Sequence, residues 1–179
     1  GLEKASIKEK MWALRNYESA QKIKANIDPA FSLSRKSGLP GPRDGGQDAF
    51  RHAMWSAMNA RDVGENTARE FGNLHEDANN PDQDPVAVEM DKHNNEIGIM
   101  IGRTDPEASN DELASKIIEA FNTGMMVKIS MDSDGNYLDA DGNKIDQSKK
   151  DWRQNLVIVS SNTKVPEAKK EDTKKEEEK

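Results

Sequence analysis

The sequence contains no cysteine among its 179 residues, and this absence removes several kinds of chemistry at once. Disulfide bonds, thiolate nucleophiles and thiol-rich zinc sites are excluded. Any bound metal must therefore use histidine, carboxylate or carbonyl ligands.

The sequence also lacks an apolar run long enough to span a membrane, and it lacks an excess of positive charge. Its 33 acidic residues outnumber its 26 basic ones, which gives a net charge of −7. A nucleic-acid-binding surface needs clustered Lys and Arg to neutralise phosphates, so we expect no nucleic-acid partner and no membrane span. The first ten residues lack the apolar core of a signal peptide. The leading Gly in place of Met is typical of a cleavage scar, so a signal sequence could have been removed ahead of it.

Apolar residues recur at helical intervals along most of the chain. With 34% hydrophobic residues the chain can fill one modest core, so we expect a single domain over 1–162 and a disordered charged tail over 163–179. The pattern predicts helices over 6–30, 48–63, 65–78, 86–103 and 110–124, and short strands over 125–131, 137–140 and 155–161. The predicted fold is mainly α, a compact multi-helix domain with a small C-terminal β-hairpin or meander at about 125–161.

Gly and Pro mark the predicted breaks between these helices. The first helix should end near Asp28-Pro29, because a residue before proline is pushed out of the helical region. The segment 33–47 is rich in Gly and Pro and predicts a connecting loop, with a lid as the alternative. The run NNPDQDP at 79–85 predicts a turn.

The segment DSDGNYLDADGNKI repeats Asp, Gly and Asn at an interval of seven residues. Asp-Gly pairs favour tight turns, and Asp-rich loops also resemble calcium sites. Counted from Asp132, the twelfth position, where such a calcium loop carries Glu, is Asn143. The pattern favours turns, with calcium at Asp132–Asp141 as the alternative.

All three histidines lie between Asp48 and Gly102, among acidic and Asn residues at helical spacings. Helical rotation gives the helix at 48–63 an apolar face of Ala49, Phe50, Ala53, Met54, Ala57 and Ala60, with His52 at its edge. In the next helix it places His75 on the face that bears Ala68, Phe71, Gly72 and Asn79. The same rotation places His93 nearly opposite the polar side of its helix, which bears Gly98 and Gly102 beside Asp91, Asn94 and Asn95. The two glycines lack side chains, so a neighbouring backbone could approach the helix there. We therefore predict a polar pocket between three helices, with His93 outside it.

One chemistry that suits such a pocket depends on a metal. His52, His75 and Asp91 could bind a divalent zinc, manganese or iron ion, with Asp48 holding His52 from outside the coordination sphere. A bound water would become a nucleophile, and Glu76 could be its general base.

A second chemistry needs no metal. His52 and His75 could act as acid and base, while Arg51 with Asn94 or Asn95 holds an anionic or carbonyl group. A third interpretation has no reactivity, because buried His, Asp and Asn can form a hydrogen-bonded network that only fixes how helices pack.

Three motifs at these residues resemble an uncharacterised bacterial domain family of secreted proteins and polymorphic-toxin C-termini. They are DAFRHAMW at 48–55, with Asp48 in place of the family's leading Asn, LHE at 74–76, and DKHNNEIG at 91–98. The resemblance implies a secreted or periplasmic helical domain used as an effector or toxin. We therefore expect a hydrolase-like effector acting on an envelope component, with an immunity protein as a partner. The alternative is a non-catalytic binding module of the cell envelope, whose polar network is structural or holds a ligand.

Overall fold

The computed structural model describes residues 5–77 and 84–167. Its elements in chain order are α1 (Ile7–Arg15), α2 (Tyr17–Ala25), α3 (Ile27–Lys36), α4 (Gly46–Val63), α5 (Glu65–Glu76), α6 (Pro85–Gly102), α7 (Asn110–Asn122), β1 (Val127–Ile129), a 3-10 turn (Trp152–Asn155) and β2 (Ile158–Ser160). The predicted fold is confirmed: mainly α, with a small antiparallel sheet near the C-terminus. Positions 79–83 of the predicted turn and 168–179 of the predicted tail lie outside the described residues.

Helix α4 lies at the centre of the fold and packs against α2, α3, α5, α6, α7 and β1. The apolar face predicted for it is buried throughout, at Ala49, Phe50, Ala53, Met54, Ala57 and Ala60. Phe50 and Met54 share one core cluster with Leu113 and Ile117 of α7. The alanines leave room for neighbouring helices to approach the backbone of α4 closely.

Helices α4 and α6 approach each other most closely at two glycines. A Cβ atom on Gly98 would lie 2.1 Å from the carbonyl oxygen of Ala53, and one on Gly102 would lie 2.0 Å from that of Ala57. No side chain fits at either position, so the prediction that these glycines admit a neighbouring backbone is confirmed. This approach sets where the preceding residues of α6, including Asp91, meet α4.

The N-terminal region forms three short helices, and the single helix predicted over 6–30 is wrong. The chain leaves helical geometry at Asn16, whose φ is −125° and ψ is 48°. It breaks again at Asn26, whose Nδ2 donates to Oδ1 of Asn59 at 3.1 Å and to Oδ2 of Asp62 at 2.9 Å. The second break therefore ties the N-terminal helices to α4.

Pro29 lies near the start of a helix instead of at the end of one. It lies in the first turn of α3, where its missing N–H removes no intrahelical hydrogen bond. The predicted helix end near Asp28-Pro29 is therefore wrong. Because α3 continues to Lys36, the loop before α4 covers 37–45 and is shorter than predicted.

The C-terminal appendage is a two-stranded sheet plus a pair of turns. Strand β1 pairs antiparallel with β2, and the strand predicted at 137–140 is replaced by single bridges from Tyr137 to Met131 and from Leu138 to Lys144. Each bridge closes one of the predicted Asp-Gly turns. Within the described residues, none of the helices has both the length and the apolar character needed to cross a bilayer.

Candidate functional site

Asp48 and His52 on α4 converge with Asp91 on α6. Each of the three offers a ligand atom, and these atoms lie within 4.8 Å of one another. Nε2 of His52 is 3.4 Å from Oδ1 of Asp91 and 3.7 Å from Oδ1 of Asp48. We call these three residues the acid–imidazole cluster, and it could hold a metal ion.

A buried polar network borders His52. Its Nδ1 lies 3.6 Å from Oε1 of Glu76, which accepts a hydrogen bond from Nδ2 of Asn95 at 3.0 Å. Oδ1 of Asn95 in turn accepts from Oγ of Ser56 at 2.9 Å. A carboxylate beside the non-ligating nitrogen is the usual means of orienting a metal-binding imidazole. Here, however, the 3.6 Å separation is longer than a hydrogen bond, and the buried Nδ1 of His52 has no hydrogen-bond partner within residues 5–77 and 84–167. Glu76 and Asn95 therefore border the imidazole without fixing its orientation.

Arg51 also contacts the acid–imidazole cluster, at His52 and Asp48. Its guanidinium donates to Nε2 of His52 at 2.8 Å and forms an ion pair with Oδ1 of Asp48. Because a guanidinium only donates, Nε2 carries the lone pair and Nδ1 carries the proton. Arg51 thus places a positive charge where a metal ion would bind.

Burial and nearby charges shift the pKa values in the cluster. Burial, followed by the charges of Arg51 and His75, lowers the pKa of His52 to about 3, so its imidazole is neutral at pH 7. Burial, followed by the carboxylates of Glu76 and Asp48, raises the pKa of Asp91 to about 9. Burial also raises the pKa of Asp48, against the effect of Arg51. Asp91 therefore keeps a proton at pH 7, which lowers the negative charge that the buried carboxylates share. A bound cation could offset that negative charge instead.

His75 lies outside the acid–imidazole cluster. Its side chain is 49% exposed, and its Nδ1 is 2.8 Å from Oε1 of Glu9 on α1. The buried stripe of α5 consists of Ala68, Gly72 and Glu76, one position round the helix from the predicted face. The predicted inward orientation of His75 is therefore wrong, because that edge of α5 packs against α1 instead of the pocket.

Asn94 and His93 have roles outside the cluster. Nδ2 of Asn94 donates to the carbonyl of Val127 at 2.9 Å, and its Oδ1 accepts from the N–H of Val127 at 3.0 Å. Asn94 thus anchors β1. The prediction that its side chain faces the pocket is wrong, because both ends of its amide hydrogen-bond to Val127. His93 is exposed, with Nε2 2.9 Å from the carbonyl oxygen of Met125, so it lies outside the pocket as predicted.

The Asp residues of the seven-residue repeat close turns. Oδ1 of Asp132 accepts from the N–H groups of Asp134 at 3.0 Å and Asn136 at 2.9 Å. Oδ1 of Asp139 accepts in the same way from the residues two and four positions later. These hydrogen bonds account for the repeat as two similar turns. Among the described residues, the group that could hold a metal ion is the acid–imidazole cluster.

Asp48 and Asp91 of the cluster line a cleft of about 250 Å³, whereas His52 is not among its lining residues. The other lining residues are Arg43, Asp44, Arg51, Asp84, Ala87, Trp152, Arg153 and Leu156. Sequence patterns predicted Asp48 outside the coordination sphere, although its spacing of four residues from His52 places both on one helix face, where Asp48 offers a ligand atom of its own. They also missed the residues from the appendage, which lie far from α4 along the chain and carry no local signal.

Comparison with known proteins gives one match. The family described as Domain of unknown function (DUF6973) matches residues 10–125. No curated protein and no solved structure matches the chain. The matched range contains the whole acid–imidazole cluster, whereas β1, the 3-10 turn and β2 lie beyond it.

Proposed function

The chain belongs to the DUF6973 family, whose function is unknown, and we propose that it is a hydrolase whose acid–imidazole cluster binds a divalent cation. The observation that carries this proposal is the convergence of Asp48, His52 and Asp91 from two helices. One neutral imidazole and two carboxylates suit manganese, iron or zinc. Three protein ligands leave coordination positions open for water and substrate.

The surrounding residues support cation binding. Glu76 lies next to Nδ1 of His52 and leaves Nε2 directed at the two Asp side chains. A bound divalent cation, with a higher charge than Arg51 provides, would stabilise the buried carboxylates of Asp48 and Asp91 as anions. When bound, the cation would polarise a substrate oxygen and acidify a water molecule, which is the chemistry of metal-assisted hydrolysis.

A second candidate function is a binding module without catalysis. The contact of Arg51 with both Asp48 and His52 favours it, because the guanidinium already supplies a cation. In that case the polar network fixes the packing of α4, α5 and α6, and Asp91 keeps its proton.

The proposal also includes where the protein acts. The resemblance of 48–98 to domains of secreted proteins and toxin C-termini supports an effector that works outside the cytoplasm on an envelope component, countered by an immunity protein. Fractionation of producing cells tests this part, and retention of the full-length protein in the cytoplasm contradicts it.

Calorimetric titration of Zn²⁺ or Mn²⁺ into chelator-treated protein tests the cation site. We expect stoichiometric binding to the wild type and to His75→Ala, and no binding to His52→Ala or Asp91→Asn. Circular dichroism shows whether each variant is folded. A folded wild type that binds neither ion contradicts the proposal and leaves the binding module.

A further inference from the structure

The cleft beside the acid–imidazole cluster is lined by arginines from three parts of the chain. Arg43 lies in the loop before α4, Arg51 on α4, and Arg153 in the 3-10 turn of the appendage. Asp48 and Asp91 line the same cleft. A ligand in the cleft would therefore meet guanidinium groups and cation ligands together.

Two of these arginines are only loosely paired with carboxylates. Nε of Arg43 is 3.7 Å from Oδ2 of Asp44, and Nε of Arg153 is 3.5 Å from Oδ2 of Asp84. Both distances exceed the range of about 2.7–3.2 Å for an N–H···O hydrogen bond. The two arginine side chains are 83% and 50% exposed. Their charges are thus accessible to a ligand.

The carboxylates next to these arginines have other donors. Oδ2 of Asp44 accepts a hydrogen bond from the hydroxyl of Tyr137 at 2.5 Å. Oδ1 of Asp84 accepts from the N–H of Val86 and caps α6. An anion that draws Arg43 towards it would leave Asp44 with the hydrogen bond from Tyr137. One that draws Arg153 would leave Asp84 with the hydrogen bond at Oδ1, while its Oδ2, the atom next to Arg153, makes no hydrogen bond to any residue that the structure describes in either case.

A cation bound at the acid–imidazole cluster would free Arg51 to contact a ligand in the cleft. Arg51 contacts Asp48 and Nε2 of His52, which are the atoms that a bound cation would take as ligands. A cation there would displace the guanidinium, whose Cζ also lies 4.9 Å from the centroid of the Phe31 ring. The displaced guanidinium lies beside the cleft and would add a third positive group to it.

We propose that the cleft binds the phosphate group of a small phosphate monoester, which the arginines and a cation held by the acid–imidazole cluster would contact together. This inference rests on the proposed function. A monoester phosphate has two negative charges and three oxygens directed apart, so it can contact a cation and several guanidinium forks at once. A carboxylate has one charge and two oxygens, and it would leave arginines without a ligand oxygen. Because Arg153 lines the cleft, the appendage would take part in substrate recognition, although it lies beyond residues 10–125.

The corresponding reaction is hydrolysis and consumes only water. The water oxygen bonds to phosphorus, and the bond between phosphorus and the ester oxygen breaks. The bonding electron pair leaves with the ester oxygen, which takes up a proton from the water to become an alcohol. Inorganic phosphate is the other product and should occupy the same cleft.

Inorganic phosphate is therefore the probe. It is titrated calorimetrically into two samples, one of chelator-treated protein and one of protein loaded with Mn²⁺. We expect it to bind the Mn²⁺-loaded wild type. Replacement of both exposed arginines, Arg43→Gln with Arg153→Gln, should weaken phosphate binding by about tenfold or more, which corresponds to about 1.4 kcal/mol. The matched control is Lys149→Gln with Lys150→Gln, because these lysines line a different opening beyond Trp152. The control should bind phosphate as the wild type does.

Separate titrations with Mn²⁺ alone distinguish the two proposals. Failure of the wild type to bind Mn²⁺ overturns the proposed function. Normal Mn²⁺ binding without phosphate binding overturns the phosphate inference alone. Phosphate affinity that is the same without Mn²⁺, or that survives in the arginine variant, also overturns it. Loss of phosphate binding in the arginine variant, with Mn²⁺ binding retained, supports it.

Discussion

Nε2 of His52 and Oδ1 of Asp91 lie 3.4 Å apart across the interface of α4 and α6. Along the chain, the end of α4, the whole of α5 and the start of α6 lie between the two residues. They meet because Gly98 and Gly102 let α6 lie against the backbone of α4. The site therefore depends on the same close packing that organises the fold.

Replacement of Gly98 by Ala should strongly destabilise the protein. The added Cβ would lie 2.1 Å from the carbonyl oxygen of Ala53, so α6 must move away from α4. We expect the free energy of unfolding in urea to fall by roughly 3 kcal/mol. Gly72→Ala is the control, because a Cβ there meets nothing within 4 Å. That change should be neutral or stabilise α5, and equal losses in the two variants would contradict the packing argument.

Replacement of Asn94 by Ala should destabilise the protein without affecting cation binding. The change removes both side-chain hydrogen bonds to Val127 and leaves its backbone groups unpaired. We expect a loss of about 1–3 kcal/mol in urea unfolding. Calorimetry should show wild-type cation affinity. A folded Asn94→Ala protein that no longer binds the cation would instead support the site role predicted from the sequence.

Replacement of Arg51 by Gln should strengthen cation binding. The guanidinium contacts Asp48 and His52 and repels a second positive charge at those atoms. We expect the dissociation constant for Mn²⁺ to fall by about tenfold or more. Arg103→Gln is the control, since Arg103 pairs with Glu65 and is not among the residues that line the cleft. Weaker Mn²⁺ binding in Arg51→Gln would show that the arginine does not compete with the ion.

Asp91 should make the metal-free protein less stable as the pH rises. Its pKa is about 9 in the folded protein against an ordinary value of 3.8, so between these values the folded state holds a proton that the unfolded chain has released. Stability therefore falls with rising pH in this window. In chelator, the free energy of unfolding should fall between about pH 7 and about pH 8.5 in the wild type, and less in Asp91→Asn.

Protonation of His52 does not contribute to the change in stability between about pH 7 and about pH 8.5. Its pKa is lowered from 6.5 to about 3, so it destabilises the folded state only as the pH falls below about 6.5. The same pH dependence in the wild type and Asp91→Asn would contradict a raised pKa for Asp91.

The sequence predicted the elements with strong local signals. The apolar face of α4, the two glycines of α6 and the turns of the repeat follow from helical rotation and backbone freedom. His75 was misplaced because α5 has apolar residues on two adjoining edges, and α1 covers the edge that carries His75. Arg153 was missed because its approach to the cleft depends on tertiary packing of the appendage.

Pulsed electron paramagnetic resonance of bound Mn²⁺ tests the cation site most directly. The acid–imidazole cluster contains one imidazole, so we expect the ¹⁴N coupling of a single histidine ligand. The coupling should be retained in His75→Ala and lost in a folded His52→Ala variant. Bound Mn²⁺ without ¹⁴N coupling, or a coupling that disappears in His75→Ala but persists in His52→Ala, would contradict a site formed by Asp48, His52 and Asp91.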